Sequence, residues 1–298
     1  MRSLVVAISF AFCCGCVAAA GFVSSTRTFT TTTTELRGGY DATVGLDPST
    51  PIQFFTLPGN TCPYAQRTHI ALLELNLPFD ITEVVGFPTK PDWYLKINPR
   101  GKVPALRVMP TPITKNNENN NMAVIYESAI CNEFFCDYSS TTVLMRHTLM
   151  GPTVDPIMKA YIRLHNDHCD NIFTKTQFTY LMNKDDTKDD ELCTLMEDAL
   201  QYYENVLQQS KGPYLMGECF TLADIHVFPF IQRLVITHKH WKDYELSNNK
   251  FPLLLHWFKS CLERESVQVS SMTHDKTIEV YGRFFSTNYS FGGLNKSK

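Results

Sequence analysis

The chain has 298 residues, 44% of them hydrophobic with 20 Phe and 13 Tyr, and a formal net charge of −3. That supply of apolar side chains suits two packed cores or one large one, and the interspersed charges give no electrostatic footprint for a nucleic acid. After residue 20 no apolar run is long enough to cross a bilayer, so a soluble mature protein of two domains is expected.

At the start of the chain Arg2, the apolar stretch Leu4 to Val17 and the small residues Ala18, Ala19 and Ala20 read as a signal sequence. An uncleaved anchor is the alternative, disfavoured by the short apolar core and the missing basic flank after it. From Phe22 to Thr34 there are Ser, Thr and Arg27 but no acidic residue, the composition of an organelle transit peptide. Two signals in tandem resemble the bipartite leaders of plastid proteins in algae with secondary plastids, with Phe22 at the first cleavage point. Ordinary secretion or an endomembrane lumen is the alternative. Residues 1–50 are therefore set aside as leader and linker. Seven cysteines remain, an odd number with no C-x-x-C spacing, which argues against a disulfide scaffold or a zinc ribbon. His165, His168 and Cys169 could share one side of a helix as ligands, but no second cluster accompanies them, and no metal site is expected.

Residues 51–138 alternate strand and helix signals. Ile52 to Leu57 reads as a strand and Cys62 to Asn76 as a helix, with Ile70, Leu73 and Leu77 at helical spacing. Phe79 to Val85 is a second strand, Asp92 to Ile97 a short helix, Val103 to Val108 a third strand and Ala123 to Tyr126 a fourth. A helix from Glu127 to Tyr138 closes a βαβαββα unit. The Asn- and Pro-rich segment Pro110 to Met122 reads as an exposed hairpin loop, with a partner-binding insertion as the alternative. From 141 to 276 the strand signals vanish and the pattern is all-helical. Its clearest helix start is Thr221-Leu222-Ala223-Asp224, a capping box with Phe220 and Ile225 as the staple, leading into the nearly apolar run Ile225 to Val235. Residues 277–298 form an aromatic tail that either covers a pocket or is a partly disordered terminus.

Three motifs carry chemistry. In Cys62-Pro63-Tyr64-Ala65 the proline suits the first helical position, which leaves Cys62 at the N-cap facing free amides and the positive end of the helix. The dipole is worth about 0.3 to 1 kcal/mol, roughly one unit of thiol pKa at most. Amide hydrogen bonds must therefore supply the rest if the thiol is to reach the reactive range of roughly 3.5 to 7.5. Pro104, one residue into a strand, calls for an edge, a bulge or a cis peptide. A cis bond would turn the N–H and C=O of Val103 outward to pair with a peptide-like ligand. In Tyr126-Glu127-Ser128 a strand runs into a helix, where Ser128 and the helix N-terminus suit a carboxylate and Glu127 an ammonium group. Simple capping is the alternative there.

These motifs, in this order and followed by Thr221-Leu222-Ala223-Asp224, resemble the glutathione transferase superfamily over roughly residues 52–265. Cys62 to Arg67 is similar to the cysteine-type classes, omega, lambda and the dehydroascorbate reductases, and Lys90-Pro91-Asp92-Trp93 with Ile125 to Ile130 is closest to omega. The resemblance implies a thioredoxin-like glutathione-binding domain over 51–138 and a helical domain that walls a second substrate pocket. It implies glutathione as co-substrate and Cys62 as the residue that forms a mixed disulfide with it. Val103 beside cis Pro104 would pair with the cysteinyl unit, Glu127 and Ser128 would hold the γ-glutamyl end, Lys90 would reach the glycyl carboxylate, and Phe87 would line the wall. The activity implied is reduction of dehydroascorbate or of glutathionylated thiols. Ala65 excludes a resolving cysteine in this motif. The alternatives are conjugation of glutathione to electrophiles and a non-enzymatic protein like the intracellular chloride-channel proteins. The partners implied are small-molecule or glutathionylated thiols and, in some members, a second copy as a homodimer. No nucleic acid and no stable membrane insertion is implied.

Overall fold

The computed structural model describes residues 52–86, 89–109, 122–140, 149–151 and 155–286. The leader, the Asn-rich loop over 110–121, Phe87 and residues 287–298 lie outside the described residues. Four strands, β1 (Ile52–Thr56), β2 (Phe79–Glu83), β3 (Ala105–Val108) and β4 (Ala123–Tyr126), form one sheet in the order β2-β1-β3-β4. β1 runs parallel to β2, Ile52 opposite Phe79, and antiparallel to β3, with Phe54 opposite Leu106. β3 is in turn antiparallel to β4. Every residue of the central strands β1 and β3 is buried, as expected for strands covered on both faces.

Three helices belong to this layer: α1 (Pro63–Glu74), α2 (Asp92–Ile97) and α3 (Ser128–Ser140). α1 ends at Asn76, which takes the left-handed conformation (φ 47°) that closes a helix, with the Leu77 amide returning to the Leu72 carbonyl at 3.1 Å. β3 begins two residues later than the sequence pattern suggests, because Pro104 has no amide to give to a ladder.

The remainder is helical: α4 (Pro156–His168), α5 (Thr174–Met182), α6 (Asp189–Ser210), α7 (Leu222–Lys242), α8 (Pro252–Leu262), α9 (Glu265–Ser270) and α10 (His274–Ser286). A π-helical turn, Cys169–Phe173, joins α4 to α5. α7 is the spine, buried from Leu222 to Leu234. Its capping box forms as expected, with the Thr221 amide donating to Asp224 Oδ2 at 2.8 Å. Asp224 does more than cap, since its other oxygen accepts from the Leu215 amide and from Trp257 Nε1, both at 2.8 Å. α1 packs against α3, α7 and α9, and α10 lies along α7. The boundary drawn at 276/277 thus falls inside α10, whose residues 277–286 continue the helical domain.

Candidate active site

Cys62 is the N-cap of α1, in extended conformation (φ −88°, ψ 118°) with Pro63 at the first helical position. Its sulfur, half-buried, donates weakly to the Val103 carbonyl, Sγ to O 3.7 Å. The thiol is pushed up from its ordinary value, and the main cause is burial. The Ala65 amide, the Arg233 charge, the Tyr64 amide and the Arg67 charge all act downward but are outweighed. The expectation of a thiol already in the reactive range is therefore corrected. The amides are where the sequence put them, but an N-cap wedged between a sheet and a helical domain loses more by desolvation than they return.

Opposite the sulfur, the Val103–Pro104 bond is cis, and both residues are buried. The loop before them is fixed from below: Asn98 Nδ2 and the Tyr94 hydroxyl both donate to the Lys102 carbonyl, at 2.8 and 2.6 Å. Lys90 donates to the Gly86 carbonyl at 2.8 Å. Burial lowers its pKa while the Cys62 sulfur acts to raise it, so its ammonium lies within electrostatic reach of that sulfur.

At the β4–α3 junction Glu127 adopts φ 73°, a left-handed backbone unusual for a side chain of this size. Its carbonyl accepts the first helical bond, from Cys131, while its carboxylate turns outward to Arg100 Nη1 at 2.5 Å. Such backbone positions cluster at functional sites. Ser128 is buried, and its Oγ accepts from Arg67 Nη1 at 3.4 Å, which leaves its own proton to donate.

Two buried arginines link α1 to α7. Arg67 Nε donates to the His226 carbonyl at 2.8 Å, and its Nη2 meets Asp170 Oδ1 at 2.8 Å and Cys169 Sγ at 3.5 Å. Arg233 reaches from α7 to Gln66 Oε1 at 2.5 Å, to the Pro229 carbonyl at 2.9 Å and to the Asn60 carbonyl at 3.2 Å. The Tyr281 hydroxyl of α10 lies close enough to act on its charge. Neither Arg233 nor Tyr281 stands out in the sequence as a site residue. The available signal was a basic residue inside the otherwise apolar run of α7, since a charge there has to be buried.

The histidines and cysteine weighed as metal ligands have other partners. His165 Nδ1 meets the Tyr202 hydroxyl at 2.8 Å, and His168 stacks on Tyr202 with centroids 3.8 Å apart. Cys169, Asp170 and His226 do bring a sulfur, a carboxylate oxygen and an imidazole nitrogen within 4.8 Å of one another. The Arg67 guanidinium contacts two of the three, so the positive charge of that cluster comes from the chain itself.

Comparison with known proteins agrees with this geometry. A family model described as glutathione S-transferase, N-terminal domain, matches residues 61–137, and one described as glutathione S-transferase, C-terminal domain, matches residues 168–265. A probable chloroplastic glutathione S-transferase DHAR2 of Oryza sativa subsp. japonica is 28% identical over 63% of this chain and 57% of its own length. The pyrimidodiazepine synthase of Drosophila melanogaster is 26% identical over 76% of this chain and 82% of its own. The crystal structure of glutathione transferase Omega 3C from Trametes versicolor superposes with a TM-score of 0.64 at 28% identity, over 79% of this chain and 91% of that one.

Proposed function

Since the chain belongs to the glutathione S-transferase family, we propose that it is a glutathione-dependent thiol transferase and reductase with Cys62 as its only nucleophile. The observation that carries this is the placement of Cys62 at the N-terminus of α1, with the Ala65 and Tyr64 amides on the sulfur. The Cys62 thiolate attacks the glutathionyl sulfur of a mixed disulfide, forms a bond to glutathione and releases the substrate thiolate. The thiolate of a second glutathione then attacks that new bond, which yields glutathione disulfide and restores the Cys62 thiolate. Dehydroascorbate is reduced to ascorbate by two glutathione thiols, which supply two electrons and two protons and leave as glutathione disulfide. Val103 pairs with the cysteinyl unit, Glu127 and Ser128 hold the γ-glutamyl end, and Lys90 takes the glycyl carboxylate.

Cys62→Ser should abolish glutathione-dependent reduction of dehydroascorbate and of a glutathionylated peptide, measured as NADPH oxidation coupled through glutathione reductase. Retention of most of the rate would sink the assignment. Conjugation would need a hydroxyl at the sulfur, and Tyr64, two residues after Cys62, is poorly placed to supply one. Its ring packs edge-on to Phe230 at 5.1 Å and beneath Arg67, and burial pushes its phenol up to about 12. A channel-like rearrangement of α1 would strip Gln66, Arg67 and His69 of their buried partners. Among the described residues no helix is long and apolar enough to cross a membrane.

The leader composition supports entry to the secretory route and onward transfer to a plastid, and the rice relative is itself chloroplastic. A fluorescent fusion to residues 1–50 that stayed in the cytosol would overturn this. Ile157, Tyr161 and Leu164, exposed along one face of α4, support a homodimer, which light scattering would reject by returning the mass of one chain.

A further inference from the structure

We propose that Arg233 is the counter-cation of the Cys62 thiolate and that Tyr281, from α10, is the residue that positions it. This rests on the reading of Cys62 as the nucleophile.

Arg233 is 2% exposed, and among the described residues none of its hydrogen-bond partners is a carboxylate: they are the Gln66 amide oxygen and two main-chain carbonyls. Its Nε is buried without a partner among the described residues. A guanidinium taken out of water and met only by neutral acceptors is poorly compensated, and a nearby group able to become an anion is its natural complement. Cys62 is that group. Asn60 stands two residues before it and Gln66 four after, and Gln66 is bonded through its own amide to the Cys62 carbonyl at 3.0 Å. Arg233 thus grips the chain on both sides of the sulfur, and its charge acts downward on the thiol.

Tyr281 is the buried neutral group of α10 that acts on the guanidinium. It is 1% exposed, stacked on Phe178 with centroids 6.5 Å apart and edge-on to Phe284 at 5.7 Å. The phenol is kept protonated by burial, so it can orient Arg233 without neutralising it. Desolvation makes the pair effective, because a charge interaction excluded from water is screened least. The same burial that opposes ionisation of Cys62 strengthens the larger of the two arginine charges that favour it.

The test is the pH dependence of Cys62 alkylation by iodoacetamide on the full chain, resolved by peptide mass. Arg233→Met should move the profile up by about one unit, a roughly tenfold slower alkylation at pH 7. Arg233→Lys should restore most of it, and Tyr281→Phe should slow alkylation about threefold while the near-UV circular dichroism is retained. An Arg233→Met profile that overlays the wild type would overturn the proposal. If that variant does not fold, Tyr281→Phe decides alone: a folded protein with an unmoved profile overturns it. Cys62→Ser, assayed for turnover in parallel, separates the two ideas. A dead Cys62→Ser with unmoved Arg233 and Tyr281 profiles defeats this proposal alone, whereas an active Cys62→Ser defeats the reading beneath it.

Discussion

The two arginines that join α1 to α7 are equally buried and differently matched. Arg67 meets Asp170 at 2.8 Å, stacks over the Tyr64 and Phe230 rings and binds the Ser128 hydroxyl, so its charge is answered inside the fold. Among the described residues Arg233 is answered by neutral oxygens. Burial alone therefore does not tell a structural cation from a chemical one; the presence or absence of a countercharge does. The Arg67 side is finished as folded, whereas the Arg233 side has room for an anion, the role proposed above for the Cys62 sulfur.

Acid should break the comparison most severely. His226 beside Asp170, His69 bonded to Asn60, and His165 and His238 in the helical core are all buried, and burial lowers each to about 4 from 6.5. Their unfolded forms bind protons first, so the stability that they contribute is complete above pH 6.5 and is lost as pH falls towards 4. The loss is roughly 2 kcal/mol each by pH 5, a sum that rivals the stability of an ordinary domain. Urea unfolding at pH 7, 6 and 5 should show midpoints falling steeply, and a flat series would refute the burial of these rings. Below that range Asp170 adds to the loss. Although burial would raise its carboxyl, Arg67 and His226 hold it well below the usual range.

Next in size is Arg67→Met, which strands Asp170 and the Ser128 oxygen and should cost about 3 kcal/mol of unfolding free energy, at the low end for a broken buried pair because Asp170 is 41% exposed. It should leave the alkylation profile of Cys62 nearly where it was; a shift as large as that of Arg233→Met would erase the distinction between the two sides. Smallest is Tyr281→Phe, expected to cost about 1 kcal/mol, the value of one hydrogen bond, while still moving that profile. Chemical denaturation of both variants checks the contrast, and a larger stability loss from Tyr281→Phe than from Arg67→Met would invert it.

Most of the fold could be read from local pattern. The four strands and three helices of the first layer follow from periodicity and turn residues, and the Thr221–Asp224 box from its spacing. What that box also does, holding Trp257 and the Leu215 amide, was not legible, because those donors reach Asp224 through packing. The same division runs through the site. Cys62, Pro104, Glu127 and Ser128 stand at element boundaries, where local sequence fixes the backbone and so advertises the role. Arg233 and Tyr281 are brought in by helices far along the chain, and the raised Cys62 thiol is a property of what surrounds it. The N-cap argument counted the amides correctly but could not count the water removed.

α10 places Tyr281 219 residues after Cys62 in the chain, so the nucleophile is made early and its surroundings last. On the ribosome the cysteine exists without the Arg233 guanidinium, the phenol or the α7 wall. A fragment that ends after the sheet layer carries the thiol, the Ala65 and Tyr64 amides and Arg67, but neither Arg233 nor Tyr281. The full set of charges around the sulfur is thus tied to completion of the chain, because Arg233 and Tyr281 arrive only with α7 and α10.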